Sequence, residues 1–122
     1  MRKTLTALGT AVLVLGLGVA LAHAASARTN LNVLGYVLNS DDSDDVFTGN
    51  LNSPNPKCRP DRRVRMYKET GRGFKLVDTD RSSRHGAWAT RGNLHGQPNL
   101  KFTVARRTYG NLLCRRDVTR FP

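Results

Sequence analysis

From Val46 to Phe121, short apolar–polar alternations are broken by Gly, Pro or Asn clusters about every ten residues. A period of two is the repeat of a strand with one face buried. An amphipathic helix needs apolar residues three and four apart over some eleven or more positions, and no stretch between the breaks supplies that. This part of the chain is therefore confined to β structure. "VFTGNL" starts it with Phe47 inward. "RRVRMYK" follows, with Val64 and Met66 on one side and Arg63, Arg65 and Tyr67 on the other. "FKLVDTD" places Phe74 and Leu76 together, and "GAWATR" centres on Trp88. "LKFTVARRTY" turns Phe102 and Val104 inward and Lys101 outward, and "DVTRF" closes the chain. The predicted core is Phe47, Val64, Met66, Leu76, Trp88, Phe102 and Val104. Six or seven strands with one wet face each suit an all-β, antiparallel two-sheet sandwich.

The N-terminus has a different texture. Arg2 and Lys3 precede a largely apolar run from Leu5 to Ala22, and two small-x-small patterns follow, Ala22-His23-Ala24 and Ala25-Ser26-Ala27. This is the layout of a secretory signal peptide, and either pattern suits the cleavage. Residues 1–24 are read as that peptide, forming a helix. Residues 25–45 are read as a polar and acidic linker or an extra strand, and residues 46–122 as the sandwich domain. The "DDSDD" run lacks the spacing and closing Glu of a calcium loop and reads as solvated. The expected location is outside the cell, or in the periplasm or cell envelope. No further apolar run follows that would span a membrane.

Two cysteines, Cys58 and Cys114, lie 56 residues apart. In an exported chain an even count points to a disulfide. The separation does not suit a redox CxxC or a zinc site. A loop of that length gives roughly 4 kcal/mol of stabilisation in the chain-entropy model, a large share for a small domain.

The chain carries 20 Lys and Arg against 9 Asp and Glu, a net charge of +11. From Val46 onward the excess is steeper, because four of the acids fall in "DDSDD". Such a surface attracts polyanions whatever their sequence. The candidate contacts are Arg62, Arg63, Arg65, Tyr67, Lys68, Arg106, Arg107, Arg115 and Arg116, with Tyr67 as a stacking platform on the basic face. A small secreted ribonuclease is a weaker alternative. It would cast Glu69, His85 or His95, and Arg63 or Arg91 as base, acid and phosphate ligand, but nothing in the spacing joins them. His85 and His95 alone are too few for a metal site. No cofactor is expected.

An ordered series of short elements runs through this region. It comprises Phe47-Thr48-Gly49, Cys58 just before "RRVRMYK", Asp78 and Asp80 ending a strand, Gly86-x-Trp88, Phe102-x-Val104 and Cys114. The series resembles the small secreted bacterial modules of the carboxypeptidase regulatory-like group, which are transthyretin-like (prealbumin-like), Ig-like β-sandwiches. The resemblance covers roughly residues 46–121. It implies a hairpin whose aromatic residue, here Trp88, enters the core. It also implies a non-enzymatic envelope or extracellular module with no shared catalytic residues, whose partner is a protein or an envelope polymer. The Tyr-Arg-Gly-Ser ending of the transthyretin-like hydroxyisourate hydrolases is absent, since this chain ends "DVTRFP".

The disulfide makes the first testable expectation. Intact-mass measurement of the exported protein should show a gain of about 2 Da on reduction and free thiols only afterwards.

Overall fold

The computed structural model describes residues 25–39, 43–94 and 99–122. The expected signal-peptide helix, Asp41, Asp42 and His95 lie outside the described residues. Among the described residues, ten strands run in chain order: β1 (Ala25–Ala27), β2 (Asn30–Val37), β3 (Asp45–Asn52), β4 (Arg63–Thr70), β5 (Gly73–Arg81), β6 (Ala87–Gly92), β7 (Leu100–Val104), β8 (Arg107–Tyr109), β9 (Leu112–Cys114) and β10 (Asp117–Phe121). One 3-10 turn, Pro56–Cys58, starts at Asn55, whose side chain accepts from the Lys57 backbone N–H. The all-β sandwich is as read from the sequence. The count is higher because "LKFTVARRTY" breaks at Ala105-Arg106 and three strands are only three residues long.

Two antiparallel sheets form the sandwich, one ordered β2-β3-β6 and the other β10-β7-β4-β5. Their facing sides supply one core. Leu31, Phe47, Leu51 and Trp88 come from the first sheet, and Val64, Met66, Leu100, Phe102 and Val104 from the second. Phe47 and Trp88 each meet Phe102, with ring centroids 5.7 and 5.3 Å apart. The Thr90 hydroxyl donates to the Met66 sulfur at 3.3 Å and crosses between the sheets. Gly49 pairs with Trp88 across β3 and β6. A Cβ there would enter both the Trp88 ring and the Asn32 carbonyl, so this glycine is the space into which the indole folds.

Residues 25–45, read as a linker or an extra strand, contribute β1 and β2. Leu31 is buried and Val33 packs on the core, while β2 pairs along β3 with a bulge between Val33 and Gly35. Asp45 is buried, accepting from the backbone N–H groups of Asn39 and Leu94. The aspartate at the end of "DDSDD" thus holds the fold together.

Leu76 corrects the predicted core. It is 47% exposed, whereas Val77 packs against the core. The cause is a bulge in the β4–β5 ladder. Tyr67 pairs with Leu76, but Met66 pairs with Asp78, so Val77 is the extra residue. One inserted residue reverses which side chains face inward beyond it. The same shift turns Asp78 and Asp80 toward β6, where their carboxylates accept from the Arg91 and Ala89 N–H groups at 2.8 Å. The expected hairpin at Trp88 is also different. β5 and β6 lie in different sheets, and the intervening residues carry the chain from one to the other, with Gly86 at φ +94°. Trp88 nevertheless enters the core as expected.

A third, small sheet (β1-β9-β8) lies at the disulfide, with β1 parallel to β9. Cys58 and Cys114 are bonded, fully buried, and packed with Ala27, Tyr109 and Leu112.

The bulge predicts opposite outcomes for neighbouring substitutions. Leu76→Ala should change stability by less than about 0.5 kcal/mol. Val77→Ala should cost about 1 kcal/mol through lost packing. Chemical denaturation of the two variants measures both, and a larger loss at Leu76 would contradict this register.

Candidate functional site

Antiparallel pairing fixes which side chains share the outer face of the four-stranded sheet. Arg65, Thr103 and Val118 stand in one row across β4, β7 and β10. Tyr67, Lys101 and Arg120 stand in the next, joined by Leu76 of β5, and Arg63 pairs with Arg81 in the row on the other side. Phe74, at the start of β5, reaches this face as well. Lys101 Nζ lies 5.0 Å from the centroid of Tyr67 and 4.4 Å from that of Phe74, and the Arg120 guanidinium carbon lies 5.0 Å from Phe74. The result is a line of alternating ring and cation, Tyr67, Lys101, Phe74, Arg120. Each cation on a ring face is worth roughly 0.5–1 kcal/mol at an exposed site, enough to hold the side chains in order.

Beside this line is an open cleft of about 610 Å³. Arg65 and Lys101 border it from the sheet, and Arg106 and Arg116 from the loops that follow β7 and β9. The acids are mostly turned away. Asp78 and Asp80 face β6, and Asp117, which also borders the cleft, accepts from the Leu31 N–H at 2.8 Å. Asp61 pairs with Arg81 at 2.9 Å and Arg107 at 3.5 Å. Glu69 sits at the rim and accepts from the Asn99 side chain. No other ion pair occurs among the described residues. The cations of the cleft and ring line therefore stand without carboxylate partners within salt-bridge distance.

The sequence-predicted contacts divide accordingly. Arg63, Arg65 and Tyr67 share the outer face, and Arg106 and Arg116 border the cleft. Lys68 pairs with Leu100, out of phase with that face, at the far end of the sandwich. Arg107, the first residue of β8, is held by Asp61, and Arg115, just after β9, donates to Ser26 Oγ at 2.9 Å. Phe74, Lys101 and Arg120 complete the face but were not among the predicted contacts. The alternation had placed Lys101 outward. Phase alone could not show that Phe74 would reach Lys101 across β4.

Arg62 is the clear correction. It is 1% exposed and so cannot meet a polyanion. Its neighbours in sequence make it look like one more surface cation, but it precedes β4 at the corner where four connections meet. Its Nη1 donates to the Cys58 carbonyl at 2.8 Å and to Thr29 Oγ1 at 3.3 Å. Its Nη2 donates to the carbonyls of Ala105 and Arg115 at 2.8 and 3.0 Å. No carboxylate pairs with it among the described residues. Burial pulls its pKa below the ordinary arginine value; the nearby Tyr109 opposes this and Arg107 adds to it. A guanidinium stays protonated regardless. Its desolvation therefore opposes folding, and the four oriented acceptors offset that cost.

Of the residues considered for a ribonuclease, Glu69 and His85 are not brought together, and His95 lies outside the described residues. Glu69 pairs with Phe74 at the start of β5, while His85 follows the other end of that nine-residue strand. His85 is exposed beside Pro56, Lys57 and Arg59. Among the described residues no three His, Cys, Asp or Glu side chains cluster to hold a metal ion. No family model, curated protein or solved structure matches the chain.

Adjacent arginines should behave in opposite ways. Arg62→Lys supplies one compact ammonium where four acceptors need a planar fork, and should cost about 3 kcal/mol. Arg63→Lys, on the wet face, should stay within about 0.5 kcal/mol. Urea denaturation of both variants reads the difference.

Proposed function

We propose that this is an exported, non-catalytic binding module of the cell envelope or extracellular space, similar to the carboxypeptidase regulatory-like sandwiches, and that its ligand is an extended polyanion. The observation that carries the reading is the outer face of the four-stranded sheet. Among the described residues, Arg65, Lys101 and Arg120 there have no ion pair and stand around two aromatic rings, while Asp78, Asp80 and Asp117 are spent on backbone N–H groups. Unpaired cations on a rigid sheet attract phosphate, sulfate or carboxylate polymers, and release of counterions makes the binding salt-dependent. Rings between the cations add a surface on which planar groups stack. A sheet is a stiff platform, so little order need be gained on binding.

Retention on heparin and on single-stranded DNA resin tests the reading. The protein should elute well above about 0.15 M salt. Arg65→Gln, Lys101→Gln and Arg120→Gln together should lower the slope of log K against log salt on DNA by about 2. Elution below physiological salt would remove the polyanion ligand. If Tyr67→Ala and Phe74→Ala weaken retention on DNA but not on heparin, the rings act by stacking on bases. Equal loss on both would assign them to placing the cations.

A further inference from the structure

The strand that opens the described fold consists of residues that the sequence alone offers to a signal peptidase. Ala25-Ser26-Ala27 forms β1, parallel to Leu112-Leu113-Cys114. The Ala25 N–H donates to the Asn111 carbonyl at 2.9 Å, and the Ala27 carbonyl accepts from the Arg115 N–H at 3.0 Å. The Ser26 hydroxyl accepts from Arg115 Nε at 2.9 Å. The Ala27 methyl is buried against the Cys58–Cys114 bridge. Two residues on, Thr29 is buried and its hydroxyl accepts from the Arg62 guanidinium.

We propose that the peptide bond hydrolysed on export is Ala24–Ala25, leaving Ala25 as the first residue of the mature protein, and that Ala27–Arg28 is not a processing site. The inference rests on the reading of residues 1–24 as a signal peptide. Water adds across the Ala24–Ala25 amide, the carboxylate stays with Ala24, and the released amine on Ala25 takes a proton. That ammonium falls at the exposed end of β1, where it keeps a donor for the Asn111 carbonyl. The same step at Ala27–Arg28 would remove β1, uncover the bridge, and leave the Arg115 N–H without its acceptor. It would also place a new positive charge next to Thr29, which already receives the buried Arg62 cation. In the second pattern, Ala27 and Ser26 have structural roles. Ala27 must be small to lie on the disulfide, and Ser26 receives Arg115. Cleavage after Ala22-His23-Ala24 leaves all of these contacts in the mature chain, and that pattern also meets the peptidase's requirement for small side chains at its two positions.

Expression of the full precursor in a secreting host, followed by N-terminal sequencing and intact-mass measurement of the exported protein, tests this directly. Ala25 as first residue is the expected result. Arg28 as first residue overturns the proposal while leaving export intact, whereas retention of Met1 overturns it together with the export reading. A second measurement compares oxidised chains that begin at Ala25 and at Arg28. The shorter chain should melt at least about 5 °C lower. Equal melting temperatures would show that β1 has no part in the mature fold and would count against the proposal.

Discussion

A single buried guanidinium fixes how the ends of this sandwich meet. Arg62 gathers the carbonyls of Cys58, Ala105 and Arg115 and the hydroxyl of Thr29. These belong to the connections after β1, before β4, after β7 and after β9. Beside it, the Cys58–Cys114 bond closes a 56-residue separation. The two devices act on different states. The covalent bond limits the unfolded chain, while the guanidinium demands one arrangement of four acceptors in the folded one. A cation with that many oriented contacts and no carboxylate tolerates little displacement, so it specifies the corner as well as stabilising it.

The same economy governs the acids. In a chain with few of them, Asp45, Asp78, Asp80 and Asp117 each accept from backbone N–H groups that the sheets leave open. The open sides of a sandwich present unpaired strand edges, and Asp78, Asp80 and Asp117, reaching across from the other sheet, satisfy them without a ladder, while Asp45 holds the segments that follow β2 and β6 in its own sheet. The consequence reaches the surface. Carboxylates committed to sheet edges do not neutralise the arginines and lysine of the outer face, so structural use of the acids and the positive field of that face have a common origin.

Several features were legible because they depend on local pattern. Alternation at Val64-Arg65-Met66 and at Phe102-Thr103-Val104 assigned inside and outside correctly, since an uninterrupted strand has no other option. The disulfide followed from an even cysteine count together with the export expected from the N-terminal pattern. Other features depend on neighbours that a strand does not carry with it. Leu76 and Val77 differ in phase only because β5 gains a residue against β4. Arg62 and Arg63 are indistinguishable as letters in "DRRVR", yet one begins the wet face and the other ends in the interior. Phe74 belongs to the ring-and-cation line because β4 and β7 bring Lys101 to it. The two small-x-small patterns look alike in sequence, and only the structure shows that Ala27 of the second is buried against the disulfide.

By itself, the sequence determined the class of structure, the bond between its two cysteines and the sign of its surface, because period, cysteine count and net charge are sums over the chain that folding does not alter. The tertiary structure decided which cation is buried, which residue of "LVD" fills the core, and where free charge and aromatic rings coincide. Those outcomes turn on register and on desolvation. One inserted residue exchanges the two faces of a strand, and a guanidinium leaves water only where several acceptors from distant segments converge on it.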